Sequence, residues 1–232
     1  LLTVNQGITI QKSQLGGGSP IIRGFEANRV LLVVDGVRMN NAIYRSGHLQ
    51  NALTVDAHAL EIVEVVFGPS STIYGSDALG GVVHFYTKKP VFSKNDKTYY
   101  KTNAEVRYGT AANEYSLHVS NNIGWNRVAN FFSATVKQYG DLRMGKWRAH
   151  GYDNWGLITH YVDNDKMVEN DDPNIQVGTG YEQYDLLNNL TWKATPEIIL
   201  RWNTQLSTTT NIPRYDNLQD YNDGELKWSE WH

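Results

Sequence analysis

Residues 68–81, GPSSTIYGSDALGG, combine glycines and hydroxyl side chains and are the first candidate for chemistry. Such a loop could cradle phosphate, but it lacks the Gly-Lys-Ser/Thr ending that places a lysine on the phosphates. Pro69 removes a backbone donor, and an apolar run, 82–86, follows instead of a helix. No Gly-x-Ser-x-Gly elbow presents a serine nucleophile. We therefore interpret the loop as backbone architecture, with Tyr74 and Leu79 packing beneath it.

Other reactive groups are few. The chain has no cysteine, which excludes disulfides, zinc–thiolate sites and thiol nucleophiles. Calcium takes oxygen ligands, but the acidic residues late in the chain lack EF-hand spacing and are expected to form a solvated face. These residues are Asp163, Asp165, Glu169, Asp171 and Asp172. A formal net charge of -3 argues against nucleic acid as the main partner.

A change of composition near Lys88-Lys89-Pro90 divides the chain into residues 1–90 and 91–232. The first part is aliphatic and rich in glycine. Its apolar run 30–34 and the pair Asp35-Gly36 predict a buried strand and a hairpin turn. Residues 57–60 predict a single helical turn, and strands are expected at 61–67 and 82–87. The first part is therefore predicted to be a small mixed α/β unit.

The second part has apolar residues at every second position. The predicted strands are 99–109, 114–124, 127–139, 181–193 and 198–208. Each is about as long as a tilted strand that crosses a bilayer. Tight turns join some of them, but residues 140–180 form a long connection without predicted structure, and 211 onward is also expected outside. A compact soluble domain rarely tolerates such a loop, whereas outer-membrane barrels have long outer loops.

The same alternation would arise in a soluble antiparallel sheet with one wet face. The chain has no run of about 18 apolar residues, so no transmembrane helix is expected. This does not exclude a membrane protein, because barrel strands carry a weaker signal. The long connection and the tyrosine and tryptophan residues at strand ends favour the barrel, since interfacial aromatic residues form girdles there.

Four segments of the first part, in this order and spacing, resemble the plug domain of TonB-dependent outer-membrane receptors. They are Arg23-Gly24-Phe25, 33–37 (VVDGV), 62–69 (IVEVVFGP) and 74–81 (YGSDALGG). The resemblance implies an α+β plug domain in residues 1–90, followed in 91–232 by antiparallel transmembrane strands. A receptor barrel has about 22 strands, so five strands imply a fragment of a longer chain. Phe67 departs from the family, because many members carry arginine there.

The resemblance also implies energised import of a scarce, bulky nutrient across the outer membrane of a Gram-negative bacterium. The expected partners are the TonB-ExbB-ExbD energy-coupling complex, outer-membrane lipid and the cargo. No reaction on the cargo is expected, so the protein is not predicted to be an enzyme, and no permanent cofactor is expected. A soluble β-rich binding module is the alternative from a different class.

The cargo is the harder question. Residues 44–51 (YRSGHLQN) follow the predicted hairpin where the family presents apical loops to the ligand, and haem and haemoglobin receptors carry a similar Gly-His-Leu segment. The resemblance implies that His48 is a haem-iron ligand, with Tyr44 and Arg45 as further ligand-binding candidates; imidazole is a suitable ligand for haem iron. The alternative is a loop histidine without a metal. Residues 211–216 also resemble an outer-loop segment of haem receptors.

Haem, taken directly or from a haem protein, is therefore the expected transported ligand. A ferric siderophore, cobalamin or another metal chelate is the alternative. Contacts between the predicted plug and the barrel are a separate expectation. Arg23 is expected to be buried in the plug or to lie at its boundary with the barrel, where inward charges of the strands could form ion pairs with plug charges that break during transport; the candidates on the strands are Glu105, Arg107, Asp185 and Arg201.

Overall fold

The structure is a computed structural model. It describes residues 7–11, 18–26, 29–39, 54–68, 71–75, 78–148, 151–163, 166–213, 221–222, 225–226 and 230–231. Within these residues the strands form a four-stranded sheet, a five-stranded sheet and several two-stranded ones. No helix of the described part is long and apolar enough to cross a membrane.

The four-stranded sheet is built from the N-terminal part and has the strand order β4-β3-β6-β5. Its strands are β3 (Val30–Val34), β4 (Val37–Arg38), β5 (Leu60–Phe67) and β6 (Gly81–Thr87). A 3-10 helix (Ala57–Ala59) precedes β5, and a single-turn helix α1 (Ser71–Tyr74) follows it. A hairpin of β1 (Ile8–Gln11) and β2 (Ser19–Ile22) lies before the sheet. The predicted strands, hairpin and helical turn are confirmed.

Strand β3 is apolar throughout because both of its faces are covered. Val30 and Leu32 pack in one buried cluster and Leu31 and Val33 in another. The chain then reverses at Asp35 and Gly36, with φ of 47° and 88°. Both residues of such a tight hairpin turn need positive φ, which Asp-Gly supplies at little cost.

The glycine-rich loop 68–81 differs in one respect from the expectation that both of its large side chains pack beneath it. Tyr74 does pack against the cluster that contains Leu31 and Val82. Leu79, however, is 52% exposed. Of these two large side chains, only that of Tyr74 therefore packs in the core of the described sheet, where the small side chain of Ala78 is also buried.

The five-stranded sheet, called the wall below, has the order β15-β14-β9-β8-β7 and is antiparallel. Its strands are β7 (Tyr99–Gly109), β8 (Glu114–Gly124), β9 (Val128–Tyr139), β14 (Tyr181–Lys193) and β15 (Ile199–Thr209). All five agree with the predicted spans to within a residue at each end. The plug-like sheet followed by antiparallel strands confirms the predicted fold class.

The two faces of the wall differ in character. The inner face, which looks toward the four-stranded sheet, is polar; it is largely buried on the central strands β8, β9 and β14 and mostly exposed on the edge strands β7 and β15. The outer face is apolar and exposed; its residues include Leu117, Val119, Val136, Leu186, Leu190, Trp202 and Leu206. Register places these residues side by side, for example Val119 opposite Ala134 and Leu186 opposite Leu206. This is the pattern of a strand layer with one face toward lipid.

The sequence predicted no regular structure in the long connection between β9 and β14, but the structure shows short strands there. The connection contains β10 (Leu142–Arg143), β11 (His160–Asp163), β12 (Lys166–Glu169) and β13 (Ile175–Gln176), paired as β10 with β13 and β11 with β12. Buried Asn170 donates to the carbonyl oxygens of Ile158 and Ile175 at 2.8 and 2.9 Å. Hydrogen bonds from side chains to the backbone thus hold these strands, which lack the apolar alternation that would have predicted them from the sequence.

Four further short strands follow β15 in the described residues. They are β16 (Ile212–Pro213), β17 (Tyr221–Asn222), β18 (Glu225–Leu226) and β19 (Glu230–Trp231). Strand β16 pairs with β19, and β17 pairs with β18. These pairs give the segment after the wall some regular structure of its own.

Candidate functional site at the inner face of the wall

Asp56 is the residue through which the N-terminal part meets the wall most closely. It caps the 3-10 helix by accepting a hydrogen bond from the His58 N–H at 3.4 Å, and it is only 5% exposed. Its carboxylate also accepts from the Thr135 hydroxyl at 2.6 Å and from the Lys137 ammonium at 3.0 Å, both on β9. Asp56 therefore joins the two sheets by charge-assisted hydrogen bonds, which are stronger than neutral ones.

The wall residues around Asp56 come from one row of the sheet. Side chains alternate between faces along a strand, so residues directly opposite one another on neighbouring strands share a face. This charged row runs across all five strands and consists of Glu105, His118, Thr135, Asp185 and Ser207. The row thus presents a set of polar groups to the 3-10 helix.

Lys137 stands one inward position further along β9 and contacts both sides of the interface. Its ammonium lies 3.0 Å from Asp56 and 2.9 Å from Asp185. Asp185 in turn accepts from the Ser207 hydroxyl at 2.6 Å and from the Gln183 amide at 3.0 Å. One cation is therefore shared by an acid of the N-terminal part and an acid of the wall.

Two imidazoles complete the cluster. The rings of His58 and His118 are stacked, with centroids 4.8 Å apart and planes 19° apart. Because the Thr135 hydroxyl donates to Asp56, its oxygen accepts from His118 Nδ1 at 2.8 Å. On the other side His58 Nδ1 lies 3.6 Å from the Glu105 carboxylate. The stack therefore places one ring from the 3-10 helix and one from the wall between the carboxylates of Glu105 and Asp56.

The charge state of Asp56 follows from these contacts. Burial alone would raise the pKa of this carboxyl group. The positive charge of Lys137 and the hydrogen bonds from Thr135, Lys137 and the His58 N–H outweigh burial, so the pKa lies below its ordinary value. Asp56 is therefore ionised at neutral pH and is a true partner of Lys137.

A second row, called the amide row, lies nearer the other end of the wall and contains Asn122, Asn189 and Asn203 with Phe131 between them. Asn189 donates to the Thr87 hydroxyl and the Lys88 carbonyl, both at 2.9 Å. Asn203 donates to the Asp35 carboxylate at 2.9 Å. These neutral amides hold the hairpin turn and the end of β6 against the wall.

The same row holds the connection from β6 to the wall. Asn122 accepts from the Val91 N–H at 3.1 Å, and the Ser93 N–H donates to the Trp125 carbonyl at 3.2 Å. Phe92 lies under the Lys193 ammonium, 4.0 Å from its ring centroid. The connection is thus fixed along the wall.

Apolar contact between the two sheets is small. Ala59 of the 3-10 helix packs against Phe131 and Leu187 of the wall, all three buried. The contacts of Asp35, Asp56, Thr87 and Lys88 with the wall are hydrogen bonds and ion pairs. Among the described residues no group of three or more His, Asp or Glu side chains is placed to hold a metal ion.

The sequence-predicted site residues are distributed as follows. His48, Tyr44 and Arg45 lie outside the described residues. Arg23 is exposed and lies over the Phe67 ring, 4.7 Å from its centroid, so this contact is within the N-terminal part. The aromatic residue that departs from the family pattern is therefore the partner of this arginine.

The predicted charges on the strands all lie on the inner face. Glu105 belongs to the charged row and faces His58. Arg107 lies 3.8 Å from Glu114, a residue of the neighbouring strand. Arg201 stands opposite Thr191 and is exposed. Of these three, the structure brings Glu105 to the interface with the N-terminal part.

Asp56, His58, Thr135 and Lys137 were not singled out from the sequence. The sequence does contain a hint of the wall residues, because Thr135 and Lys137 stand at alternate positions of a predicted strand, as inward-facing residues do. The alternation of β9 is poorer than that of the other strands, however. For Asp56 the signal was its place before the predicted helical turn, since aspartate is a favoured N-cap residue. Neither signal indicates that the two positions meet.

Comparison with known proteins was made at the level of both sequence and fold. Residues 1–82 match the family model described as TonB-dependent Receptor Plug Domain. A protein named Vitamin B12 transporter BtuB from Vibrio vulnificus (strain YJ016) is 32% identical over 168 residues, which are 68% of this chain and 26% of that protein. A Hemin receptor from Yersinia enterocolitica is 39% identical over 82 residues, 35% of this chain and 11% of that protein.

Among solved structures, that of Copper transporter OprC superposes with a TM-score of 0.64 at 14% identity, covering 89% of this chain and 27% of the other. An identity this low shows the shared fold alone. The chain spans about a quarter, or less, of the length of each of these three proteins.

Proposed function

We propose, from the premise that residues 1–82 are the plug domain of a TonB-dependent receptor and the wall is part of its barrel, that the protein imports a metal chelate across the outer membrane. The observation that carries the proposal is the seat: a plug held on a polar barrel wall by hydrogen bonds and ion pairs around Asp56 and Lys137. Such contacts are individually modest and exchangeable with water.

Energy for import is expected to come from the TonB-ExbB-ExbD complex acting on the plug, so the receptor performs no reaction on its cargo. The relatives are named as a transporter and a receptor, which agrees with this proposal. Detergent dependence tests the class. The full-length protein should require detergent or membrane insertion to stay dispersed, and a detergent-free, monodisperse protein would instead be the soluble β-rich module.

Haem is the first cargo proposed, taken directly or from a haem protein. Its support is the Gly47-His48-Leu49 segment and the identity to a Hemin receptor across the plug. Titrating the full-length receptor with haemin should give a Soret band shift typical of imidazole ligation. His48→Ala should abolish that shift, whereas His160→Ala, a change in the outer segment, should leave it intact. Unchanged spectra in His48→Ala would remove His48 as a ligand.

Cobalamin is the second cargo, favoured by the longer match to a vitamin B12 transporter, which covers 68% of this chain. The same receptor preparation decides between them. Retention of cyanocobalamin with no haemin binding would reverse the order of the two proposals. Binding of neither would leave a ferric siderophore or another metal chelate as the cargo.

A further inference from the structure

Lys137 lies between two carboxylates, one that belongs to the plug and one that belongs to the barrel wall. All three side chains are well buried, with exposures of 12% for Lys137, 6% for Asp56 and 4% for Asp185. Two negative charges therefore share one positive charge in a place with little solvent. A buried charge without a full counter-charge is costly.

Neighbouring groups do not remove this excess. His118 is neutral when only Nδ1 carries a proton, and that proton is donated to Thr135. His58 faces Glu105, which is a further negative group, and the Lys88 ammonium is bound to the His58 carbonyl at 2.8 Å. At pH values where both imidazoles are neutral, the cluster of three acids and two lysines carries one net negative charge.

The two carboxylates differ in what holds them. Asp185 takes its hydrogen bonds from Gln183 and Ser207, which are wall residues, so its pairing with Lys137 does not require the plug. Asp56 takes two of its bonds from the wall residues Thr135 and Lys137, and the third, from the His58 N–H, is long at 3.4 Å. If the 3-10 helix left the wall, Lys137 would remain paired with Asp185, and the Asp56 carboxylate would be hydrated by solvent.

We propose that Asp185 is a positioning residue that makes the attachment of the plug to the wall, here called the seat, reversible. It acts through Lys137, for which it is a permanent counter-ion within the wall. It does so in two ways. While the plug is seated, the second carboxylate adds an uncompensated charge beside Asp56. Once the plug is released, Asp185 leaves Lys137 paired. The inference rests on the proposed function in that the plug must leave this seat during import.

The proposal predicts opposite effects for two chemically identical substitutions. Asp56→Asn removes the plug's own ion and should loosen the seat. Asp185→Asn removes the competing ion, so Lys137 must rely on Asp56, and the seat should tighten. If both acids were simply stabilising groups of one buried network, both substitutions would loosen it.

Hydrogen exchange tests this without any cargo. Peptides covering residues 54–60 of the full-length receptor in detergent should exchange about tenfold faster in Asp56→Asn and several-fold slower in Asp185→Asn, because exchange reports local opening. Asp185→Glu, which keeps the charge, should behave like the wild type. Asp172→Asn removes an exposed ion pair with Arg143 at 3.0 Å in the outer segment and is the matched control. Faster exchange in Asp185→Asn would overturn the proposal.

Two further measurements separate this role from a structural one. Heat-dependent gel mobility reports whether the barrel has folded. If Asp185→Asn does not fold, Asp185→Ser takes its place. Exchange in Asp185→Ser that is not slower than in the wild type would then refute the proposal. In a background of Asp56→Asn, the tightening effect of Asp185→Asn should disappear, because its target pair is gone.

Energised uptake gives the functional readout, with haemin as the probe. Asp185→Asn should lower the maximal uptake rate and leave the half-saturating haemin concentration unchanged. A changed half-saturation with normal exchange would overturn the role assigned to Asp185. If the wild-type receptor takes up no haemin, the proposed cargo fails, while the exchange experiment still decides the role of Asp185.

Discussion

Gly124, at the end of β8, lies directly against the connection between plug and barrel. A Cβ atom added there would lie 2.0 Å from the Val91 carbonyl oxygen and 3.1 Å from the Ser93 nitrogen. Both are backbone atoms, so no side-chain rotation can relieve the overlap. We therefore expect Gly124→Ala to push the connection away from the wall.

The size of the effect follows from what the connection would lose. Ordinary contact begins near 3.4 Å, so the Val91 carbonyl must move by more than about 1 Å. Such a shift breaks the bonds from the Val91 N–H to Asn122 and from the Ser93 N–H to Trp125, which are 3.1 and 3.2 Å long. Each is worth about 0.5–1.5 kcal/mol, so the attachment should weaken by about 1–3 kcal/mol.

Limited proteolysis and urea unfolding of the full-length protein in detergent check this prediction. Trypsin should cut faster at the exposed Lys94 and Lys97 of the connection in Gly124→Ala, and the urea midpoint should fall. Gly145→Ala is the matched control, since a Cβ at Gly145 meets no atom within 4 Å. Equal cleavage and equal midpoints in the two variants would refute the reasoning.

Two further predictions concern the plug. Burial lowers the pKa of His84, although the nearby charges of Glu64 and Asp35 act in the opposite direction, and its Nε2 accepts a hydrogen bond from the Gly36 N–H at 3.1 Å. The contribution of His84 to plug stability should thus be full above the ordinary pKa of 6.5 and should fall as the pH drops below it. The thermal midpoint of His84→Gln should therefore depend less on pH than that of the wild type. Phe131→Ala should lower the free energy of unfolding by about 3–5 kcal/mol and speed amide exchange at residues 57–60. Phe132→Ala, on the outer face, should leave that exchange unchanged. Equal effects of the two substitutions would contradict the assigned faces.

The wall was predictable because its signal is local. Alternation along each strand and short turns between strands fix both the spans and the parity, which is how Glu105 and Asp185 were placed on the inner face. The long outer segment was not predictable in the same way. Its short strands are held by side chains such as Asn170 that bond to the backbone, and they bury too little apolar surface to leave a period in the sequence.

The central contact of the site was beyond the sequence for a different reason. Asp56, the N-cap of the 3-10 helix, and Lys137 of the wall are separated by 81 positions. Strand parity predicts that Thr135 and Asp185 share the inner face, but nothing in that parity says which residues of this face the 3-10 helix will meet. That choice depends on how the plug sheet packs against the wall, which is a tertiary property.

The two rows of the wall hold different parts of the plug, and this decides which part is free to move. The amide row binds Thr87 and Lys88 and continues into the fixed connection, so separation there would detach the end of β6 and the anchored connection together. Among the described residues, the charged row contacts the plug at the turn formed by Asp56 and His58. This turn comes directly after residues 40–53, which include the cargo candidate His48. Local opening should begin where the fewest of the described contacts must break, so release of the plug is expected to start at Asp56.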